Sequence, residues 1–389
     1  ELYKKHGKVM RILLITDLYP IENSGEPLVI KDFAKYWQEE GHIVDVIRPN
    51  FLLNTKIRHK KIFKDGVYFE DNIKIMNVNY VTPFLFDVTK KLPKDFAIGN
   101  YNLVISHMPS GSMFAMKLIG KCAGIPYVAS VHNSDITVLT KPLYKKFFAP
   151  ALKKAYKRAD AIAARSSVLA DKIKEISPYA EYKTFVAASG INKDIIDPLE
   201  LFEKKAGHRG EPYVISTVAK LIKRKNVDIL INAVANAHLG NYLLRIMGDG
   251  EEMQNLKNLV KQLDIEDNVE FTGNIPNDEV LRNLTASDLF VLVSEGETFG
   301  MAYLEAAARA NIVVATRNDG IDGLIRNGEN GFTCDADADT LSILLERIYN
   351  MPREDVRKML LTRRCELLED SDRTLSKKYL DTALKIIGA

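Results

Sequence analysis

Short apolar runs alternate along the chain with segments whose apolar residues recur at three- and four-residue spacing, a pattern of strands interleaved with amphipathic helices. The first run, 10–17 (MRILLITD), predicts a buried strand. A loop through Gly25 follows, and Pro27 suits a first helical turn. Ile30, Phe33, Ala34 and Trp37 mark the buried stripe of a helix that stops at Gly41. With the next strand at 43–47, the opening is a βαβ unit. Further strands are predicted at 67–69, 73–78, 102–107, 127–132, 161–166 and 184–188, and helices over 112–123, 142–158 and 168–176.

Residues 190–212 (GINKDIIDPLELFEKKAGHRGEP) are charged and turn-rich and predict a linker. The alternation then restarts. Strands are predicted at 213–218, 243–247, 269–272, 289–293 and 312–316, and helices near 227–237, 251–263, 278–285, 302–310 and 340–349. A last helix, about 373–387, follows another helix and no strand. The fold class expected is α/β: two Rossmann-like, doubly wound parallel sheets in tandem, facing a cleft at the carboxyl ends of their strands. Residues 1–9 are set aside as a tail or remnant, 10–195 form the N-terminal domain and 196–371 the C-terminal domain. Residues 372–389 form a helix that crosses back to the first domain.

The length of 389 residues agrees with two domains. Hydrophobic residues at 46% and charged residues at 27% exclude a disordered or collagenous chain. Cys122, Cys334 and Cys365 are too few and too scattered for a disulfide framework or a thiolate metal site, which implies a reducing cytoplasm. No apolar run reaches the ~18 residues of a membrane span. The net charge of +3 conceals an asymmetry: residues 1–200 carry 30 Lys/Arg against 21 Asp/Glu, and the remainder 24 against 30. Two bodies with different partners are one reading, and chance clustering of solvated charge is the other.

Candidate chemistry concentrates in the segment from Ser294 to Glu305 (SEGETFGMAYLE), which leaves an apolar strand and enters an Ala-rich helix. Gly300 lets the backbone approach a ligand, and the free N–H groups of Phe299, Gly300 and Met301 form an anion site at a helix N-terminus. Glu297 and Glu305 repel phosphate but accept hydrogen bonds from hydroxyls, as a sugar or a ribose requires. The plain alternative makes Glu297 a carboxylate set against the helix dipole and Glu305 a surface residue. Just after the strand at 213–218, Lys220, Lys223, Arg224 and Lys225 put four cations within six residues. Lys220 and Lys225 are the expected diphosphate clamp, and Lys223 and Arg224 are expected to be solvated.

These residues resemble retaining glycosyltransferases of family 4, which share the GT-B fold. The resemblance runs from Met10 onward and is most specific at the Glu-x7-Glu motif, Glu297–Glu305. It is supported in order by VHNSD at 131–135, KLIKRK at 220–225, MGDGEE at 247–252, VEFTGNIP at 269–276 and RNGENGF at 326–332. The resemblance implies that Glu297 holds hydroxyls of a donor sugar and Glu305 a nucleotide ribose. Thr298, Phe299, Gly300 and Met301 offer backbone amides, Lys220 and Lys225 grip the diphosphate, and Gly248 and Asn274 complete the donor seat; Gly25 either brings its amide to the diphosphate or is a plain turn residue. The family usually has Gly-Arg where this chain has Ala219-Lys220, and Lys lacks the bidentate fork. His132 takes the place of a histidine beside the reacting sugar, and His107 and Asp135 are acceptor-side candidates. Asp135 as an N-cap or turn residue is nearly as good a reading.

The reaction implied is transfer of a sugar from a UDP- or GDP-linked donor to a hydroxyl of a glycan or lipid-linked acceptor, with retention, in bacterial surface polysaccharide or glycolipid assembly. A sugar-nucleotide epimerase, a glycan phosphorylase and a lectin-like binder are the competing classes. No Asp-x-Asp motif is required where Lys220 and Lys225 supply positive charge, so no metal or other cofactor is expected. Residues 141–158 (KPLYKKFFAPALKKAYKR) hold seven cations and no acid, interleaved with Tyr144, Phe147, Phe148 and Tyr156. That suits an anionic membrane surface on the inner face of the cell membrane; an ordinary helix burying its aromatics is the competing reading. Nucleic acid is not an expected partner, because the chain is only mildly basic and has no recognised motif. The sequence leaves base, sugar, acceptor and oligomeric state open.

Overall fold

The computed structural model describes residues 9–19, 26–51, 64–80, 91–119 and 124–388. The chain divides into two compact units, residues 1–189 with 372–389 and residues 190–371. Gly25 and Cys122 lie outside the described residues.

The first unit carries an eight-stranded sheet. Its strands are β1 (Arg11–Ile15), β2 (Ile43–Phe51), β3 (Gly66–Glu70), β4 (Ile73–Tyr80), β5 (Leu103–Ser106), β6 (Tyr127–Val131), β7 (Ala161–Ala164) and β8 (Thr184–Val186). Their order is β3-β4-β2-β1-β5-β6-β7-β8. All pairs are parallel except β3 with β4, which is antiparallel, so this sheet corrects the all-parallel expectation at one edge. The Asp71-Asn72 pair, both at positive φ, makes the tight turn that allows it. β1, β5, β6 and β7 are almost wholly buried apolar runs, as strands covered on both faces must be.

Helix α1 (Glu26–Glu39) buries Ile30, Phe33, Ala34 and Trp37 and ends before Gly41, whose φ is 92°. Helix α2 (Met108–Ile119) starts four residues earlier than the pattern predicts. Gly111 permits this, because a Cβ there would collide with the Ile15 carbonyl. Then come α3 (Asn133–Thr140), α4 (Pro142–Phe147), α5 (Ala149–Arg158) and α6 (Ser167–Ile176). The single helix expected over 142–158 is therefore two. Pro150 has no N–H to give the Lys146 carbonyl and its ring crowds that group, so the helix restarts at Phe148.

In the second unit the segment expected to be a linker contains a helix, α7 (Leu199–Gly207), which buries Phe202 and Ala206. Then come β9 (Tyr213–Val218), α8 (Val227–Asn236), β10 (Tyr242–Met247), α9 (Met253–Gln262), β11 (Val269–Gly273), α10 (Asn277–Thr285), β12 (Leu289–Leu292), α11 (Met301–Ala308), β13 (Ile312–Thr316), β14 (Phe332–Cys334), α12 (Ala338–Tyr349) and α13 (Arg353–Glu369). The sheet order is β11-β10-β9-β12-β13-β14, all parallel. The order reverses direction at β9/β12, which is where a doubly wound sheet opens a crevice for a ligand.

The last helix, α14 (Asp372–Ile387), returns to the first unit. The indole N–H of Trp37 donates to the Ser376 carbonyl at 2.9 Å, and the Tyr379 ring meets Phe33 and Trp37 edge-on. Each such large side chain contributes about 1.5–3 kcal/mol by leaving water.

Lys205 on α7 is an unusual buried cation. Its ammonium donates to the carbonyls of Ser287 and Arg309, both at 2.6 Å, next to the carboxyl ends of α10 and α11. Burial pushes its pKa down from 10.5 to about 8. The unfolded chain therefore binds more protons between about pH 8 and 10.5, and stability contributed by this group rises with pH across that window. The difference in unfolding free energy between the wild type and Lys205→Met should grow by ~3 kcal/mol from pH 8 to 10.5 in urea titrations. A difference independent of pH would show that Lys205 stays charged in the fold.

Candidate active site

In the second unit the cationic loop leaves the carboxyl end of β9 and is held by β10. The N–H groups of Ala219 and Leu221 donate to the carbonyls of Met247 and Asp249 at 3.0 and 2.9 Å. Gly248, at φ 131°, is needed for this approach, since a Cβ there would overlap the Ala219 carbonyl. Its own N–H donates to the Gly273 carbonyl at 2.9 Å. The loops after β9, β10 and β11 are thus joined, and Asn274 lies exposed just beyond Gly273.

A 3-10 turn over Lys223–Lys225 then places the cations. Asn226, left-handed at φ 51°, donates through its side chain to the Val293 carbonyl at 2.9 Å, and the Arg224 carbonyl accepts the N–H of Glu295 at 2.8 Å. These bonds tie the β9 loop to the end of β12. The Lys225 ammonium is in contact with Glu297 Oε1, and the two side chains are only 12% and 13% exposed. Ser294 Oγ donates to the same oxygen at 3.1 Å, and the Arg224 guanidinium reaches it at 3.3 Å. Arg224 thus reaches the cluster while remaining exposed, as Lys223 is. Lys220 is exposed and makes no side-chain hydrogen bond or ion pair among the described residues.

The N–H of Glu297 donates to Asp319 Oδ2 at 3.1 Å, so the loop after β13 fixes the carboxylate's backbone. Gly320 makes room for this, because a Cβ there would lie 2.7 Å from the Glu297 Cβ. Arg224, Ser294 and Asp319 went unselected in the sequence. For Asp319 the available signal was its place in a turn just after an apolar strand.

Gly300 caps α11 at φ 92°, and a Cβ there would lie 2.5 Å from the Tyr303 ring. Tyr303 is held edge-on by Phe290 and donates to the Leu292 carbonyl at 2.6 Å. The N–H groups of Phe299, Gly300 and Met301 find no acceptor among the described residues. Thr298 is half-buried and Phe299 buried. Glu305 is half-buried on α11 and accepts no hydrogen bond among the described residues. Burial raises its pKa, with Arg309 opposing. The arrangement offers one charge-paired carboxylate, one unpartnered carboxylate, open amides and a free ammonium group along the carboxyl ends of β9 and β12. That set suits a polyhydroxylated, anionic ligand.

In the first unit, His107, His132 and Asp135 form one buried network. His132 caps α3: its carbonyl accepts the N–H of Asp135 at 3.0 Å, and Asp135 Oδ2 accepts the N–H of His132 at 3.0 Å. Its ring Nε2 and His107 Nδ1 share a hydrogen bond at 3.1 Å. His107 Nε2 faces Ser130 Oγ at 3.5 Å, and Ser130 meets the Tyr379 hydroxyl at 2.7 Å. Burial holds the His107 pKa well below the usual range, with His132 and Arg165 adding to the effect, as a neutral ring requires. Asp135 Oδ1 accepts from the Tyr156 hydroxyl at 2.6 Å. His107 and Asp135, the acceptor-side candidates, are fully buried and bonded within this network. His132 is 1% exposed, with its ring Nε2 engaged by His107.

Residues 25–195 match the family description Glycosyltransferase Family 4, and residues 200–360 match Glycosyl transferases group 1. Together they span most of the chain. The chain belongs to the family 4 glycosyltransferases. Among its relatives is the N-acetyl-alpha-D-glucosaminyl L-malate synthase of Bacillus anthracis, 26% identical over 363 residues, with 90% of each chain covered. The alpha-monoglucosyldiacylglycerol synthase of Streptococcus pneumoniae is 23% identical, covering 88% of this chain and 79% of its own. Among solved structures, Anabaena HepE in complex with UDP superposes with a TM-score of 0.73 at 18% identity, covering 96% of this glycosyltransferase and 99% of that chain. The fold is GT-B.

Proposed function

We propose that this glycosyltransferase moves a sugar from a UDP- or GDP-linked donor to a hydroxyl of a glycan or lipid-linked acceptor, with retention, in surface polysaccharide or glycolipid assembly. The observation that carries the donor reading is the Lys225–Glu297 pair set beside the open amides at the head of α11. A nucleoside-diphosphate sugar has a part for each group. Hydroxyls go to Glu297, ribose to Glu305, and diphosphate to Lys220, Lys225, Arg224 and the amides. The UDP-bound relative and the glycolipid-forming relative named above support the donor and acceptor classes.

In the proposed reaction the acceptor oxygen attacks the anomeric carbon on the face from which the diphosphate leaves. The bond from that carbon to the phosphate oxygen breaks, and the departing phosphate takes the acceptor's proton. The enzyme supplies position and electrostatics. Positive charge for the leaving group comes from Lys220, Arg224 and Lys225, so no metal is required. Activity should survive EDTA; its abolition, with rescue by Mg or Mn, would overturn that part.

The test is a thermal-shift panel of UDP, GDP, ADP and their sugars, followed by product analysis. One nucleotide class should raise the unfolding temperature selectively, since a ligand that binds only the folded state stabilises it. The matching sugar nucleotide should yield a new glycosidic bond of unchanged anomeric configuration plus free nucleoside diphosphate. An inverted ring centre without transfer, or a sugar phosphate product, would assign an epimerase or a phosphorylase instead.

A further inference from the structure

The break between α4 and α5 changes what residues 141–158 present. Helix α5 buries Leu152, Ala155 and Tyr156 and leaves Lys153, Lys154 and Lys157 outside. Helix α4 buries nothing. Leu143 is 69% exposed, Tyr144 44% and Phe147 52%, and they lie at i, i+1 and i+4, on one side of the turn. Lys141, Lys145 and Lys146 are exposed among them, with the Lys146 ammonium 5.7 Å from the Phe147 ring centroid. The Tyr144 ring lies tilted against Phe148, with centroids 6.3 Å apart.

We propose that α4 is a membrane-docking element: Leu143, Tyr144 and Phe147 enter the headgroup boundary of a bilayer rich in anionic lipid, and the surrounding lysines hold its phosphates. The chemistry is that of an interfacial segment, apolar and aromatic in the middle and cationic at the margin. No acid interrupts the seven cations of 141–158, so the surface is complementary to an anionic plane. A second copy of this chain fits poorly, because a symmetric contact would set these cations against their own kind. A nucleic acid would satisfy the lysines and leave Leu143 and Phe147 in water. The inference is independent of the donor chemistry proposed above.

The test uses the full chain in sedimentation with vesicles of phosphatidylcholine alone or with phosphatidylglycerol admixed. The expected result is binding to the anionic vesicles only, weakened roughly tenfold or more between low and ~0.5 M salt. Leu143→Ser with Phe147→Ser should weaken binding at least about tenfold, and Lys145→Glu with Lys146→Glu should abolish it. Unfolding temperature and nucleotide binding should stay unchanged in both variants, because these side chains are exposed. Absence of binding to anionic vesicles at low salt would overturn the proposal. So would serine variants that bind as well as the wild type, which would mark a general polyanion surface that duplex DNA should then occupy. A dimer in solution that the serine variants dissociate would overturn it too, by assigning the patch to a second copy.

Discussion

Replacing Glu297 by alanine is expected to lower kcat by roughly 10²- to 10³-fold, the scale seen when an enzyme loses one preorganised group that acts on the transition state. The residue is central to its cluster. Its carboxylate receives Lys225, Arg224 and Ser294, and its N–H is fixed by Asp319. In the proposed function, that carboxylate is the charged acceptor held for sugar hydroxyls. Glu297→Gln separates charge from shape, since the amide keeps an acceptor oxygen for Ser294 but loses the ionic hold on Lys225. A loss shared by both variants assigns the effect to charge, and one confined to alanine assigns it to shape. Initial rates of nucleoside-diphosphate release at saturating donor decide the matter, and wild-type turnover in Glu297→Ala would remove this residue from the site.

Lys225→Ala should weaken binding of the nucleoside diphosphate by about 10- to 100-fold, the worth of one hydrogen bond to a charged group at ~1.5–3 kcal/mol. The loss should exceed that of Lys220→Ala. Lys225 is held at 12% exposure by its partner, whereas the exposed Lys220 must first be ordered by the ligand. Calorimetric titration with the diphosphate measures it directly. Because Glu297 and Lys225 touch, their effects should not add, and the double variant should lose less than the two single losses combined. An unchanged dissociation constant in Lys225→Ala would dismantle the clamp.

Much of the fold is legible because burial on both faces writes itself as apolar runs: β9 and β13 span the residues that the pattern assigns, 213–218 and 312–316. What escapes is short or decided at a distance. β14 is three residues, Phe332–Cys334, too few to show a period. Helix α7 hides in a charged segment because only Phe202 and Ala206 face inward. The division of 142–158 was readable from Pro150, whose missing N–H outweighs the helical spacing around it. Within the candidate site, motif spacing brings out Glu297, Glu305 and Lys225. The choice of Arg224 over Lys223 depends on which side of a 3-10 turn each faces, and the link from Glu297 to Asp319 spans 22 residues. The inward turn of Asp135 is set by Tyr156, and the pairing of His107 with His132 by adjacent strand ends. Neither leaves a mark in local sequence.

The return of α14 to the first unit bears on biosynthesis. Tyr379 completes the aromatic group around Phe33 and Trp37 and closes the hydrogen-bonded chain at Ser130. A nascent chain that has not yet released residues 372–387 from the ribosome therefore leaves the indole of Trp37 unsatisfied and its neighbours wet. The lobe translated first is sealed last, after the intervening one has already emerged.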